Sequence, residues 1–265
     1  MSSLKFAFPG ILDRAWLLTS NREPALFHSI HNLVRGFRGT YFRTASALAD
    51  VQFTADLVTE VKRVEYVIIA RADMLRIPTY QLTLTVRSAN DEADLSSSAS
   101  DVLEVADFQE EALFGNDYLI DLTTPGAPER FHRLILESSS NQRFRFAKAY
   151  IGEWFTFDSE PTDYQCVQEP ITQYFVADDG RGYADDRLDS RHQGFLQFDG
   201  VSDDKAAEFQ KHISPVLTGC FLYASQFPKV LNGRTLMHVE IFDLVVTKVW
   251  NNWNRVRFEF REQVG

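Results

Sequence analysis

Short runs that alternate apolar and polar residues recur along the chain, and a period of two leaves few choices but sheet. In VQFTADL, residues 51–57, Val51, Phe53, Ala55 and Leu57 share one face and Gln52, Thr54 and Asp56 the other. YQLTLTVRS repeats the pattern with Tyr80, Leu82, Leu84 and Val86. RVRFEFRE near the C-terminus sets Val256, Phe258 and Phe260 against Arg255, Arg257, Glu259 and Arg261. YVIIA, residues 66–70, is apolar throughout and predicts a central strand covered on both faces. In RFHRLILES, Phe131, Leu134 and Leu136 supply the apolar positions of a further strand.

The stretch NQRFRFAKAYIGEWFTF, residues 141–157, changes phase in its middle. Phe144 and Phe146 have one parity, whereas Ala147, Ala149 and Ile151 have the other. A slip of one residue exchanges the faces, so a bulge or break is expected near Ala147, with a bend at Gly152. Its rings read as core. The 22 Phe residues point the same way, since large apolar rings fill the space between stacked sheets.

One helix interrupts the strands, in SDDKAAEFQKHIS. Ser202 is the expected cap, Asp203 and Asp204 suit the positive end of the dipole, and Ala206, Phe209 and Ile213 form the apolar stripe. Residues 88–101 are polar and serine-rich and predict an exposed, weakly ordered loop. Residues 158–170, DSEPTDYQCVQEP, carry two prolines and several acids and predict a domain boundary. The segment from Asn251 to Asn254 predicts a hairpin turn between the last two strands.

A net charge of −10 opposes nucleic-acid binding, which needs clustered cations. The cations are 20 Arg and only 7 Lys, which fits either protein contact surfaces or genome composition. Two cysteines, Cys166 and Cys220, call for no disulfide framework. The N-terminal apolar run is broken by Arg14, so neither a membrane span nor a secretion signal is expected there, and the expectation is folding in cytoplasm.

Chemistry is harder to find. Phosphate-cradling glycine loops and the nucleophile elbow are absent. His28 and His31 stand three apart with no third ligand near them, and they read as ordinary imidazoles. The aspartates of residues 176–192, including Asp178, Asp179, Asp185 and Asp186, do not follow the order of a calcium loop, and Arg181, Arg187 and Arg191 interrupt them. Glu153 beside Trp154 makes one acid next to one ring. Trp16, Trp154, Trp250 and Trp253 read as packing residues rather than a sugar platform. The expectation is a protein that is not an enzyme, with no catalytic, cofactor or metal residues.

Several stretches together resemble virion proteins of tailed bacteriophages, in which a discoidin-like (galactose-binding-like) jelly roll precedes a β-rich assembly module at the tail tip. They are HNLVRGFRGTYFRTA, with Asn32, Leu33 and Arg43, then VQFTADLVTEVKRVEYVIIARADM and YQLTLTVRSANDE. RFHRLILESSSNQRFRFAKAYIGEWFTF resembles the closing strands, and RHQGFLQFDGVSDDKAAEFQKHI with CFLYAS resembles the following module.

The resemblance implies a mainly β fold: an N-terminal β-sandwich over residues 1–160, then a smaller β-rich domain over 161–265 with its helix near 203–213. It also implies a structural role in a distal-tail or tail-tip ring, assembled in the host cytoplasm and located in the virion. Partners would be other copies of the chain and the tube, tape-measure and hub proteins. Arg255, Arg257, Glu259 and Arg261 are the candidate contact residues, by strand pairing across subunits, although a solvated face explains them equally. The alternative is a carbohydrate-binding module that attaches the particle to host glycans. A hydrolase with dispersed carboxylates is the third reading.

Overall fold

The computed structural model describes residues 4–8, 10–15, 17–22, 24, 30, 42–70, 82–105, 113–114, 117–170, 173–176, 182–185, 190–213, 219–226 and 228–263. It is mostly antiparallel sheet, as the alternation requires. Two compact units emerge, residues 7–154 and residues 1–6 with 155–265. The division therefore falls at Trp154/Phe155 rather than at 160, and the first strand joins the later residues.

The first unit is a β-sandwich. One sheet has five strands in the order β2 (Leu17–Ser20), β4 (Leu48–Asp56), β10 (Phe131–Gln142), β6 (Leu82–Ala89) and β7 (Asp101–Val105). The other runs β12 (Lys148–Gly152), β5 (Tyr66–Ala70), β9 (Asp117–Asp121) and β8 (Leu113–Phe114), and β3 (Phe42–Arg43) pairs with β11 (Arg145–Phe146). Val51, Phe53 and Ala55 of β4, Leu134 and Leu136 of β10, and Val67 and Ile69 of β5 meet in one core. Facing sheets each present every second residue to that core, which is why the alternation was legible. β5 is buried along its whole length between β12 and β9, as its unbroken apolar run predicts.

The phase change near Ala147 is a break between strands. β11 ends at Phe146, β12 starts at Lys148, and the Ala147 amide donates to the Ala70 carbonyl at 3.1 Å. The aromatic stretch thus feeds two cores, because Phe144 lies in the sandwich while Phe155 and Phe157 belong to the second unit.

Two expectations change. The serine-rich loop is built into 3-10 turns at Glu92–Ser96 and Ser98–Ser100, capped by the side chains of Asp91 and Ser97. Leu95 is fully buried against Ala89 and Phe131, and this single plug orders the segment despite its polarity. Residues 158–170 are no linker: Asp163–Pro170 forms strand β14, paired over eight positions with β17 (Ser190–Ser202).

The second unit carries a seven-stranded sheet in the order β13 (Phe155–Thr156), β1 (Leu4–Ala7), β18 (Cys220–Ala224), β19 (Leu236–Trp250), β20 (Trp253–Glu262), β17 and β14. A separate hairpin joins β15 (Gln173–Val176) and β16 (Gly182–Asp185). Helix α2, Asp203–His212, begins where expected, with the Ser202 hydroxyl accepting from the Lys205 amide at 3.3 Å. The preceding helix, α1, is a single turn at Ile11–Arg14.

Phe209 of α2 sits in a cluster of rings. It packs on Phe6 at 5.5 Å, Phe157 at 4.9 Å and Phe258 at 5.2 Å, and Phe157 lies 4.1 Å from Phe198. Removing that ring leaves a cavity its neighbours cannot close. Phe209→Ala is expected to cost about 3–5 kcal/mol of the second unit's stability. Urea unfolding followed by hydrogen exchange of the α2 amides checks this, and unchanged exchange there would contradict it.

Candidate functional site

Three constellations look chemical at first, and local bonds consume each of them. In the sandwich unit, the Ser88 hydroxyl stands 2.8 Å from His132 Nδ1, the spacing of a nucleophile and its base. His132 Nε2 lies 3.0 Å from the Glu129 carbonyl, which can only accept, so Nε2 carries the proton and Nδ1 accepts from Ser88. No carboxylate orients the ring, and both side chains are buried. Burial pushes the His132 ring down from 6.5 to about 4, outweighing the opposing pull of the Glu129 carbonyl and the Glu153 charge. This is a polar pair within the fold.

Glu153 and Trp154 are likewise committed. Glu153 accepts from Lys62 Nζ and the Arg63 amide, both at 3.2 Å. Trp154 donates its amide to Glu65 at 2.9 Å and its indole N–H to Asp121 at 2.8 Å, and its ring packs 4.3 Å from Tyr66.

In the second unit, buried Glu262 accepts from the His192 amide at 2.9 Å, from His192 Nδ1 at 2.8 Å and from Arg234 at 2.7 Å. Cys166 lies near this carboxylate. Burial first, then the Glu262 charge, pushes its thiol up to about 11, which is the opposite of what a nucleophile needs. Cys220 is raised further by burial alone. Sequence spacing missed this network because its members come from distant strands. Among the described residues no group of His, Cys, Asp and Glu is placed to hold a metal ion. Nor is any helix of the described residues long and apolar enough to cross a membrane.

What remains is surface. β20 alternates strictly: Asn254, Val256, Phe258 and Phe260 are buried, and Trp253, Arg255, Arg257 and Glu259 are exposed. The four candidate contact residues therefore share one open face of the sheet. Arg255 pairs with Asp199 at 2.6 Å. Arg257 lies 4.2 Å over the Phe195 ring and Arg261 5.2 Å over Phe242. Their expected mode of contact is corrected, however. β20 is hydrogen-bonded to β17 on one side and β19 on the other, so it has no edge to offer another subunit.

The same hairpin ends in the feature that the sequence reading undervalued. Trp250 and Trp253 pair across the strands on either side of the Asn251–Asn252 turn, with Asn251 at a φ of 32°. Rather than packing, they are 72% and 50% exposed. Neighbouring Val245 and Val249 are exposed as well. A bulge between Phe242 and Val245, with Asp243 at a φ of 48°, adds local twist before the tip.

The base of the tip is bonded to the start of α2. Asp203, the first residue of α2, accepts from Asn254 at 2.6 Å and from Lys248 at 3.0 Å. These two bonds hold its carboxyl below the usual range, the Asn254 bond being the larger cause. Arg255 does the same to Asp199. Only residues 249–253 project past these straps.

Of the other sequence candidates, Trp16, His28, His31, Asn32, Leu33, Asp178, Asp179, Arg181, Asp186 and Arg187 lie outside the described residues. Asp185 is placed in β16, opposite Gln173.

No protein-family model matches the sequence, and no curated protein does. Part of the chain is similar to solved structures. The family 32 CBM of C. perfringens NanJ, in complex with galactose, aligns over 56% of this chain and 99% of its own, with 12% identity and a TM-score of 0.39. A Streptococcus pneumoniae fucose binding module aligns over 54% of this chain and 97% of its own, with 16% identity and a TM-score of 0.39. For a Ruminococcus gnavus GH29 fucosidase in complex with fucose the values are 56% of this chain, 13% identity and a TM-score of 0.41, and the chain spans 27% of that enzyme. Likeness at this level assigns this chain neither ligand nor activity.

The buried Ser88–His132 pair makes stability depend on pH. The folded ring binds its proton at a lower pH than the unfolded ring, so the unfolded state takes up protons first as pH falls. The contribution is complete above 6.5 and is lost progressively between 6.5 and about 4. It amounts to about 3 kcal/mol at most. An NMR titration of the His132 ring checks it, and a midpoint near the free-histidine value would rule it out.

Proposed function

We propose that this chain works by docking rather than by turnover, as a non-enzymatic assembly protein whose second unit provides the contact surface. The observation that carries this reading is the pair of exposed indoles on a braced hairpin. Trp is the residue most enriched among binding hot spots, and leaving two in water is unfavourable unless a partner covers them. Bonds from Asn254 and Lys248 to Asp203, and from Arg255 to Asp199, tie the base of the hairpin to its neighbours. The open sheet face beside them, with Arg255, Arg257, Glu259 and Arg261, has the Arg-rich character of a contact surface. A phage tail tip, the setting that the sequence resemblance implies, is the finer form of the same proposal, with other copies of the chain and tail proteins as partners.

A second reading is glycan binding, and the same two rings favour it, because indole faces stack on the C–H faces of sugars and the Asn251 and Asn252 amides suit hydroxyls. The sugar-binding modules named above supply ligands to try, fucose and galactose.

One set of measurements separates the two. Sedimentation velocity of the full chain should show concentration-dependent association that Trp250→Ala with Trp253→Ala weakens by roughly 30-fold or more, with the melting curve unchanged. A wild-type chain that stays monomeric, yet binds immobilised fucose or galactose through these rings, would replace assembly with glycan binding. A monomer that binds neither, in which the double substitution alters nothing, would remove the docking reading.

A further inference from the structure

The sequence holds a single Asn-Gly pair, Asn232–Gly233, between the 3-10 turn at Pro228–Leu231 and β19. The side-chain amide carbon of an asparagine can close a five-membered ring with the next main-chain nitrogen. Glycine is the following residue that obstructs this approach least, because it has no Cβ. Every other Asn of the chain precedes a residue that carries a side chain. Both members of the pair are exposed, and both hold positive φ, 54° at Asn232 and 87° at Gly233. Nothing lies within 4 Å of the place where a Cβ of Gly233 would stand. Among the described residues, no hydrogen bond engages the Asn232 side chain.

One bond restrains the nitrogen. The Gly233 amide donates to the Pro228 carbonyl at 2.8 Å, while the Asn232 amide donates to Lys229 at 3.2 Å and the Arg234 amide to Leu231 at 3.1 Å. The Gly233 nitrogen can lose its proton and turn towards Asn232 only when its bond to Pro228 opens. At an exposed turn water replaces the lost carbonyl, so that opening is a small local event. The pair also sits between two anchors. Val230 and Leu231 are fully buried, and Arg234 donates to buried Glu262 at 2.7 Å.

We propose that Asn232–Gly233 is a self-modifying site, at which Asn232 converts without an enzyme to aspartate and isoaspartate whenever the Gly233–Pro228 bond opens. Hydroxide removes the Gly233 amide proton, the nitrogen bonds to Asn232 Cγ, and ammonia leaves with a proton taken from water. Water then adds to either carbonyl of the cyclic imide and breaks one of its two C–N bonds. Breaking the new bond gives aspartate, and breaking the original peptide bond gives isoaspartate, whose main chain runs through Cβ. Water is the only co-reactant. Either product adds a negative charge two residues from Arg234. Isoaspartate also inserts a main-chain carbon between Leu231 and Arg234. Leu231 is fixed in the core, so the bond from Arg234 to Glu262 is the anchor that yields.

The test incubates the full chain at mildly alkaline pH and follows the tryptic peptide of residues 230–234 by mass spectrometry. The peptide should gain the mass of an amide-to-acid exchange and split into aspartate and isoaspartate forms, at a rate that rises with hydroxide. Conversion in guanidinium chloride, where the Pro228 bond is gone, should be roughly tenfold faster. Asn251, also exposed at positive φ but followed by Asn252, is the internal control and should stay intact over the same time. Gly233→Ala should suppress the reaction. Because alanine is strained at a φ of 87°, Asn232→Gln, which must close a six-membered ring, is the second variant and should suppress it too. In the isoaspartate fraction the His192 amide, which donates to Glu262, should exchange its hydrogen faster than in unconverted chains. A folded chain that stays intact while the denatured chain converts, conversion of Asn251 at an equal rate, or undiminished conversion in a folded variant overturns the site. Equal rates with and without denaturant overturn the gating by Pro228, and unchanged His192 exchange overturns the effect on Glu262.

Discussion

The second unit depends on burying one ring, Phe6. It contacts Phe155, Phe157, Phe198, Phe209 and Phe258 at centroid separations between 5.5 and 6.2 Å, mostly edge to face. Those partners come from β13, the segment after it, β17, α2 and β20, so one side chain ties five parts of the chain to the first strand. Edge-to-face packing suits the ring quadrupoles and fixes orientation as well as distance. Once α2 is seated by these rings, its first residue, Asp203, is in place to brace Asn254 and Lys248. The geometry of the exposed hairpin is thus inherited from an apolar cluster on the other face of the sheet.

Three buried polar groups among the described residues are held in their resting states by their surroundings. His132 is kept neutral, Cys166 is kept protonated, and Glu262 is saturated by His192 and Arg234. In low dielectric a buried acceptor that lacks partners costs far more than a satisfied one returns. Both ring nitrogens of His132 and both carboxylate oxygens of Glu262 are engaged within the fold itself. The surface is the reverse, with two large indoles and a row of cations facing water.

Much of the fold was legible. Val51, Phe53 and Ala55 face the core as their spacing says, Tyr66–Ala70 is a doubly covered strand, and α2 begins at its Ser202 cap. These are local signals, set by the two-residue and 3.6-residue repeats. Pairing is not local. RVRFEFRE announces a strand with one wet face, but nothing in it says that both its edges are taken by β17 and β19. Leu95 in a serine-rich run looks incidental until Ala89 and Phe131 close over it. Trp250 and Trp253 misled in the other direction, because composition treats tryptophan as core and only the turn at Asn251–Asn252 turns both outward.

The sheet of the second unit contains β1, residues 4–7, hydrogen-bonded to Phe155 and Thr156 across the whole length of the sandwich sequence. In order of synthesis, then, one unit is nested inside the other. The sandwich can complete as soon as residue 154 has emerged, but of the opening strand's partners only β13 follows at once, β18 comes about 70 residues later, and Phe258, the last ring to pack on Phe6, about a hundred residues later. At about 5–20 residues per second, the ring cluster around Phe6 stays incomplete for on the order of ten seconds. A ribosome-bound chain at that stage displays a finished domain and an unsatisfied apolar strand together, which makes this interval the natural moment for a chaperone to engage it.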